Sequence, residues 1–141
     1  MTSLASGIAW GAYVGLPFGN GAGEVTCWSL VRRVYSDVLG VDLPAYGDVD
    51  AHDLARVARE IKGGMAAAWS GAWCDVGGRV PVALDIVLMR SARGTGPVCH
   101  VGLIAGPGML LHAEDATGSV LVPLDHYTVK GRVLGMRRYA A

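Results

Sequence analysis

Phe18-Gly19-Asn20-Gly21-Ala22-Gly23-Glu24-Val25-Thr26-Cys27-Trp28-Ser29-Leu30-Val31-Arg32-Arg33 sets a glycine-rich loop directly ahead of an amphipathic run. Leu30, Val31, Val34, Val38 and Leu39 recur at helical spacing, with Arg32, Arg33, Ser36 and Asp37 mostly between them. Thr26 has the hydroxyl that an N-cap needs, and Gly40 suits a left-handed C-cap. The spacing therefore predicts a helix from Cys27 to about Leu39. Cys27 falls in register with Val31, Val34 and Val38, so its thiol is expected to point inward. A thiol at a helix N-terminus lies near the positive end of the macrodipole, which favours thiolate. A small buried core cysteine fits the same positions. On this stretch alone both readings stand.

The flanking chain predicts more helix before the middle and strands after it. Residues 4–15 suit a short helix that Gly15-Leu16-Pro17-Phe18-Gly19 breaks. Asp50 can cap a second helix with Leu54, Val57, Ala58 and Ile61 on one face and Gly63-Gly64 as its stop. Residues 65–80 read as either helix extension or loop. Leu84–Met89 is almost continuously apolar, as in a strand buried on both faces. Val98–Ala105 and Met109–Glu114 read as a hairpin turned by Gly106-Pro107-Gly108. Ser119–Val122 and Arg132–Tyr139 supply two further strands. Helices first and strands later predict an α+β fold with an antiparallel sheet. No repeat, linker or low-complexity tract divides the chain, so residues 1–141 are expected to form a single domain.

Composition narrows the function. Hydrophobic residues make up 52% of the 141, enough for a real core. Twelve basic and twelve acidic residues cancel, which leaves no general drive toward nucleic acid or an anionic surface. Three cysteines, an odd number, argue against a disulfide framework. The first ten residues lack the pattern of a secretory signal, and no apolar run reaches membrane-spanning length. Synthesis in the cytoplasm, without membrane insertion, is the expectation. Gly19–Gly23 lacks the Gly-Lys-Ser/Thr ending of a phosphate loop and the spacing of a dinucleotide fingerprint.

The histidines give the cysteine its chemistry. A hairpin centred on Pro107 pairs Gly102 with His112 and His100 with Glu114. His100 and His112 then share one face as diagonal neighbours, about 7–8 Å apart at the backbone. A slip of one residue would separate them. Two imidazoles on one face and an inward cysteine make a nucleophile, a base and an orienting group. Cys27, His100 and His112, with or without Cys74, could instead bind zinc, but the short Cys-to-Cys spacing of zinc sites is missing. No metal and no cofactor is expected. His52 and His126 read as surface residues, and Asp85 and Glu114 as structural carboxylates.

The ordered motifs resemble those of the NlpC/p60 cysteine peptidases. Cys27-Trp28-Ser29-Leu30-Val31-Arg32 is similar to that family's Asp-Cys-(Ser or Trp)-Gly-Leu-Val. The Trp-containing form with a following Arg resembles the branch found in phage tails and gene transfer agents. Leu84-Asp85-Ile86-Val87 resembles its Gly-Asp strand, His100-Val101-Gly102-Leu103-Ile104 its His-Val-Gly strand, and Leu110-Leu111-His112-Ala113 the strand of the third polar residue. Thr26, Ser29 and Leu84 depart from the pattern, standing for Asp, Gly and Gly. The resemblance implies a papain-like fold with the cysteine helix packed on an antiparallel sheet. It implies Cys27 as nucleophile, His100 as general base and His112 as orienting residue. Trp28, Tyr13 and Phe18 become candidate substrate contacts, the last two for the family's upstream tyrosine. The activity implied is peptidoglycan hydrolysis, typically at the D-γ-glutamyl–meso-diaminopimelate bond of stem peptides. The protein would ride on a phage-like tail, contact tail proteins and act at the cell wall. The alternatives are a structural tail component with an idle site, and an amidase or acyltransferase on the same fold.

Overall fold

The computed structural model describes residues 7–43, 73–90 and 100–139. The expected second helix around residues 50–64, with His52, lies outside the described residues, as does Cys99. Helix α1 is Cys27–Leu39, with the bounds its caps dictate. Thr26 Oγ1 accepts from the Ser29 N–H at 3.1 Å, and Ser29 Oγ accepts from the Thr26 N–H at 2.7 Å. Ser29 thus completes a capping box in the position usually held by Glu or Gln. At the other end Gly40 is left-handed at φ 65°, and its N–H donates to the Ser36 carbonyl. Cys27, Trp28, Leu30, Val31, Val34 and Tyr35 are buried along one side. Ahead of α1, the expected helix over residues 4–15 includes, where described, a 3-10 turn at Trp10–Tyr13 and no α-helix. The Tyr13 hydroxyl donates to Asp37 Oδ2 at 2.7 Å and ties this turn to α1.

Among the described residues, six strands form one antiparallel sheet: β1 (Trp73–Asp75), β2 (Ile86–Met89), β3 (His100–Gly106), β4 (Met109–Glu114), β5 (Gly118–Pro123) and β6 (Val133–Tyr139). Their order is β1-β6-β2-β3-β4-β5. The ambiguous stretch over residues 65–80 therefore contributes an edge strand. Leu103 pairs with Leu111 and Ile104 with Leu110, the register expected from the turn. An irregularity then brings Gly106 opposite Met109. Helix α1 packs on β3 and β4. The described residues thus form an α+β fold with one α-helix.

Alternation along the strands creates two apolar layers. Val101, Leu103, Ala105, Leu111 and Ala113 join the buried face of α1. Ile104 and Leu110 join Val87, Met89 and Val129 in the second layer. Strand β2 is buried throughout, which accounts for its continuous apolar sequence.

The strand expected from Leu84 begins at Ile86. Leu84 is the only non-glycine with positive φ among the described residues, at 77°. A β-carbon there costs about 1–2 kcal/mol. Its surroundings hold it: the Leu84 N–H donates to the Ile104 carbonyl at 2.8 Å, and its own carbonyl accepts from the Tyr35 hydroxyl. The side chain is buried in the α1 layer. Asp85 is buried as well. Its carboxylate accepts from Arg138 Nε and Nη2, each at 2.9 Å, and from the Val82 N–H. It serves the structural role expected of it, clamping β6 beside the start of β2.

Candidate active site

The site begins with a short approach between two imidazoles. His100 opens β3 and His112 sits within β4. His100 Nε2 lies 2.8 Å from His112 Nδ1, a hydrogen bond whose direction depends on which ring carries the proton. The rings meet edge to face at a centroid distance of 5.1 Å. Gly102 permits this. A β-carbon there would stand 2.7 Å from Leu110 Cδ1, 3.0 Å from the Leu111 carbonyl oxygen and 3.1 Å from His112 Cβ. Any larger residue would push β4, and His112 with it, away from β3.

Both histidines are buried, and both prefer to be neutral. Burial above all, then His112 and the Arg132 guanidinium, lowers the His100 pKa to about 3. Burial also lowers that of His112, with Glu114 opposing and Arg132 adding to the effect. These shifts make stability depend on acid. An unfolded histidine titrates near 6.5, so the unfolded chain binds more protons below that pH and the folded state loses ground. His100 is expected to contribute a slope of up to about 1.4 kcal/mol per pH unit as pH falls from 6.5 toward 3, and His112 adds to it in the same direction. Urea unfolding across pH 4–7 measures it. His100→Asn should flatten the acid side of the curve relative to wild type.

Two further residues complete the polar cluster. Glu114 Oε1 lies 3.5 Å from His112 Nδ1 and 3.7 Å from His100 Nε2. Arg132 Nη1 stands 2.6 Å from the same oxygen. Arg132 is itself buried, donating from Nε to the Arg90 carbonyl and from Nη1 to the Thr128 carbonyl. Glu114, expected to be structural, therefore borders the dyad. Alternation alone points to it, two residues after His112. The sequence pattern marks Arg132 only as the start of the last strand, and the chain places it in a 3-10 turn before β6. His100, His112 and Glu114 hold donor atoms within 4.8 Å of one another, close enough to suit a cation. The Arg132 guanidinium already neutralises that carboxylate, so the set does not favour a divalent ion.

Cys27 is the first residue of α1 and is 1% exposed. It shares the α1 layer with Val101 and Ala113. The loop before it is drawn together twice. Phe18 and Val25 form a parallel bridge, and Glu24 Oε1 accepts from the Gly21 N–H at 2.8 Å. A β-carbon on Gly19 would collide with that oxygen. Cys74, the other thiol weighed as a zinc ligand, lies in edge strand β1 beside Arg79 Nη2 at 3.7 Å.

The three candidate substrate contacts fare differently. Trp28 is 1% exposed, so its ring fills the core and offers substrate no surface. Its helical position turns it inward with Val31 and Tyr35. Tyr13 is buried with its hydroxyl on Asp37, ten residues along α1 from Cys27, or about 15 Å of helix. Phe18 is half-buried and keeps a position near the cysteine through its bridge to Val25. His126 is half-buried, with Nδ1 and the Thr128 hydroxyl 2.7 Å apart.

No family model matches the sequence, and no curated protein matches it. Solved structures do match. An NlpC/P60 family protein from Bacillus cereus superposes with a TM-score of 0.56 over 92% of this chain at 19% identity. A lipoprotein-like protein of the NLP/P60 family from Staphylococcus aureus gives 0.61 over 92% at 24% identity. The chain has the fold of these NlpC/P60 proteins. It spans 37% and 38% of their respective lengths. Arriving through backbone shape, the likeness agrees with the family that the Cys27, His100 and His112 motifs resemble.

Proposed function

We propose that this chain is a peptidoglycan-degrading cysteine endopeptidase. The observation that carries the proposal is the 2.8 Å contact between His100 Nε2 and His112 Nδ1, on strands that pack against the helix begun by Cys27. With Nε2 engaged, Nδ1 is the His100 nitrogen left to act as base. His112 Nδ1 then accepts the His100 Nε2–H, which requires the His112 proton on its Nε2.

The steps follow from those roles. His100 Nδ1 takes the Cys27 thiol proton, and the thiolate attacks the carbonyl carbon of the scissile amide. The carbon–nitrogen bond breaks as His100 returns the proton to the leaving amine. Water then attacks the thioester, giving its proton to His100 and releasing the acid and the thiol. Backbone N–H groups at the start of α1 suit the developing oxyanion. The bond is the D-γ-glutamyl–meso-diaminopimelate linkage, as the motif resemblance implies. The same resemblance, through Trp28 and the following Arg32, supports carriage on a phage-like or gene transfer agent tail and contact with tail proteins at the cell wall.

Purified protein mixed with stem-peptide muropeptides is expected to release fragments with a new diaminopimelate amine, detected by mass spectrometry. Absence of product where a control enzyme cleaves would overturn the proposal. A cut at the lactyl–alanine bond would make the protein an amidase instead.

A further inference from the structure

We infer that Glu114 and Arg132 are a positioning pair that sets the charge balance of the histidine dyad. The inference rests on the catalytic roles proposed for Cys27 and His100. Glu114 Oε1 is buried and stands 3.5 Å and 3.7 Å from the two imidazole nitrogens that face each other. Arg132 Nη1 meets that oxygen at 2.6 Å as an ion pair without hydrogen-bond alignment. The arginine is fixed independently by the Arg90 and Thr128 carbonyls. Two segments thus meet at one carboxylate oxygen: β4 brings Glu114, and the turn before β6 brings Arg132, whose Nε is held by the Arg90 carbonyl just past β2.

The chemistry needs such a counterbalance. When Cys27 gives up its proton, His100 becomes an imidazolium in a buried site. Glu114 is the anion beside that charge, and Arg132 is the cation that limits its pull. Strands β2 and β5, Ile86–Met89 and Gly118–Pro123, contain no titratable residue. On α1, Cys27 is the proposed proton donor, Arg32 is bonded to the Leu43 carbonyl, Tyr35 to the Leu84 carbonyl and Asp37 to Tyr13, while Arg33 is exposed. Among the described residues, Glu114 and Arg132 are therefore the charges that act on the dyad at short range.

Opposite signs follow for the two partners. Glu114→Gln removes the anion, disfavours imidazolium and is expected to move the midpoint of Cys27 alkylation by about one pH unit upward. Its rate at neutral pH should fall about tenfold. Arg132→Met removes the cation, leaves Glu114 unopposed and should move the midpoint downward. Glu114→Asp, which keeps the charge, should recover most of the rate lost in Glu114→Gln.

The test is iodoacetamide labelling of the full chain across pH 5–9, with each cysteine resolved by peptide mass spectrometry. It is read alongside His100→Ala, and circular dichroism confirms folding. Opposed shifts support the inference. Shifts of the same sign, or none, while His100→Ala still changes Cys27 reactivity, overturn it and leave the catalytic proposal standing. Should Arg132→Met fail to fold, failure of Glu114→Asp to improve on Glu114→Gln overturns it equally. If His100→Ala leaves Cys27 reactivity unchanged, the catalytic proposal itself fails and the inference falls with it.

Discussion

Replacing Cys27 with alanine is expected to lower muropeptide cleavage by about 10⁴-fold or more while leaving the fold in place. Cys27 is a small member of a large apolar layer, so loss of one sulfur leaves a modest void. Activity and stability should therefore separate. His100→Ala should cost nearly as much activity, because a nucleophile without its base stays protonated. The double variant should be little worse than either single one, since residues acting as one unit are grossly non-additive. Initial rates from mass spectrometry, with urea unfolding of each variant, measure both quantities. A Cys27→Ala protein with wild-type rates would exclude nucleophilic catalysis at this residue.

The second large effect is expected far from any chemistry. Gly118 opens β5 at φ 70°, and a β-carbon there would collide with the Leu16 carbonyl oxygen. That oxygen is part of an anchor. The Ser119 N–H donates to it at 2.9 Å, the Gly15 N–H donates to the Ser119 carbonyl at 2.9 Å, and the Leu16 N–H donates to Ser119 Oγ at 2.8 Å. The anchor covers the edge of β5 and fixes the start of the loop that leads to Cys27. Gly118→Ala is expected to cost about 3 kcal/mol, combining left-handed strain with displacement of the anchor. Gly108 is the natural control. It has nearly the same φ, 69°, but an added methyl would meet no neighbour there and would carry only the strain. Gly108→Ala should cost about 1–2 kcal/mol. Urea unfolding of the two variants isolates the contribution of the anchor.

Local chemistry made much of this legible. Thr26 and Gly40 mark both ends of α1 because capping depends on residues within one turn. The hairpin register follows from Gly106-Pro107-Gly108, and that register alone puts His100 and His112 on one face. What local patterns could not show was contact between distant segments. The insertion of β6 between β1 and β2 depends on pairings such as Asp75 with Arg137 and Ile86 with Arg137, which leave no local mark. Arg132 reaches Glu114 through that same long-range arrangement. Leu84 had only its departure from a glycine pattern to announce it. The structure gives that departure a physical meaning, since the position is left-handed and a glycine would adopt it without cost. Trp28 misled for a different reason: its motif suggested a substrate contact, while its helical phase turned it inward.

Catalysis of the proposed kind requires the Cys27 thiol and the His100 imidazole to exchange a proton. The pH profile of Cys27 alkylation, compared between wild type and His100→Ala, tests this most directly. An ordinary cysteine titrates near 8.5. The expected wild-type midpoint lies below that of His100→Ala, and the substitution is expected to slow the reaction at pH 7 by about tenfold or more. A common midpoint at or above about 8.5 in both proteins would contradict proton exchange between the two residues.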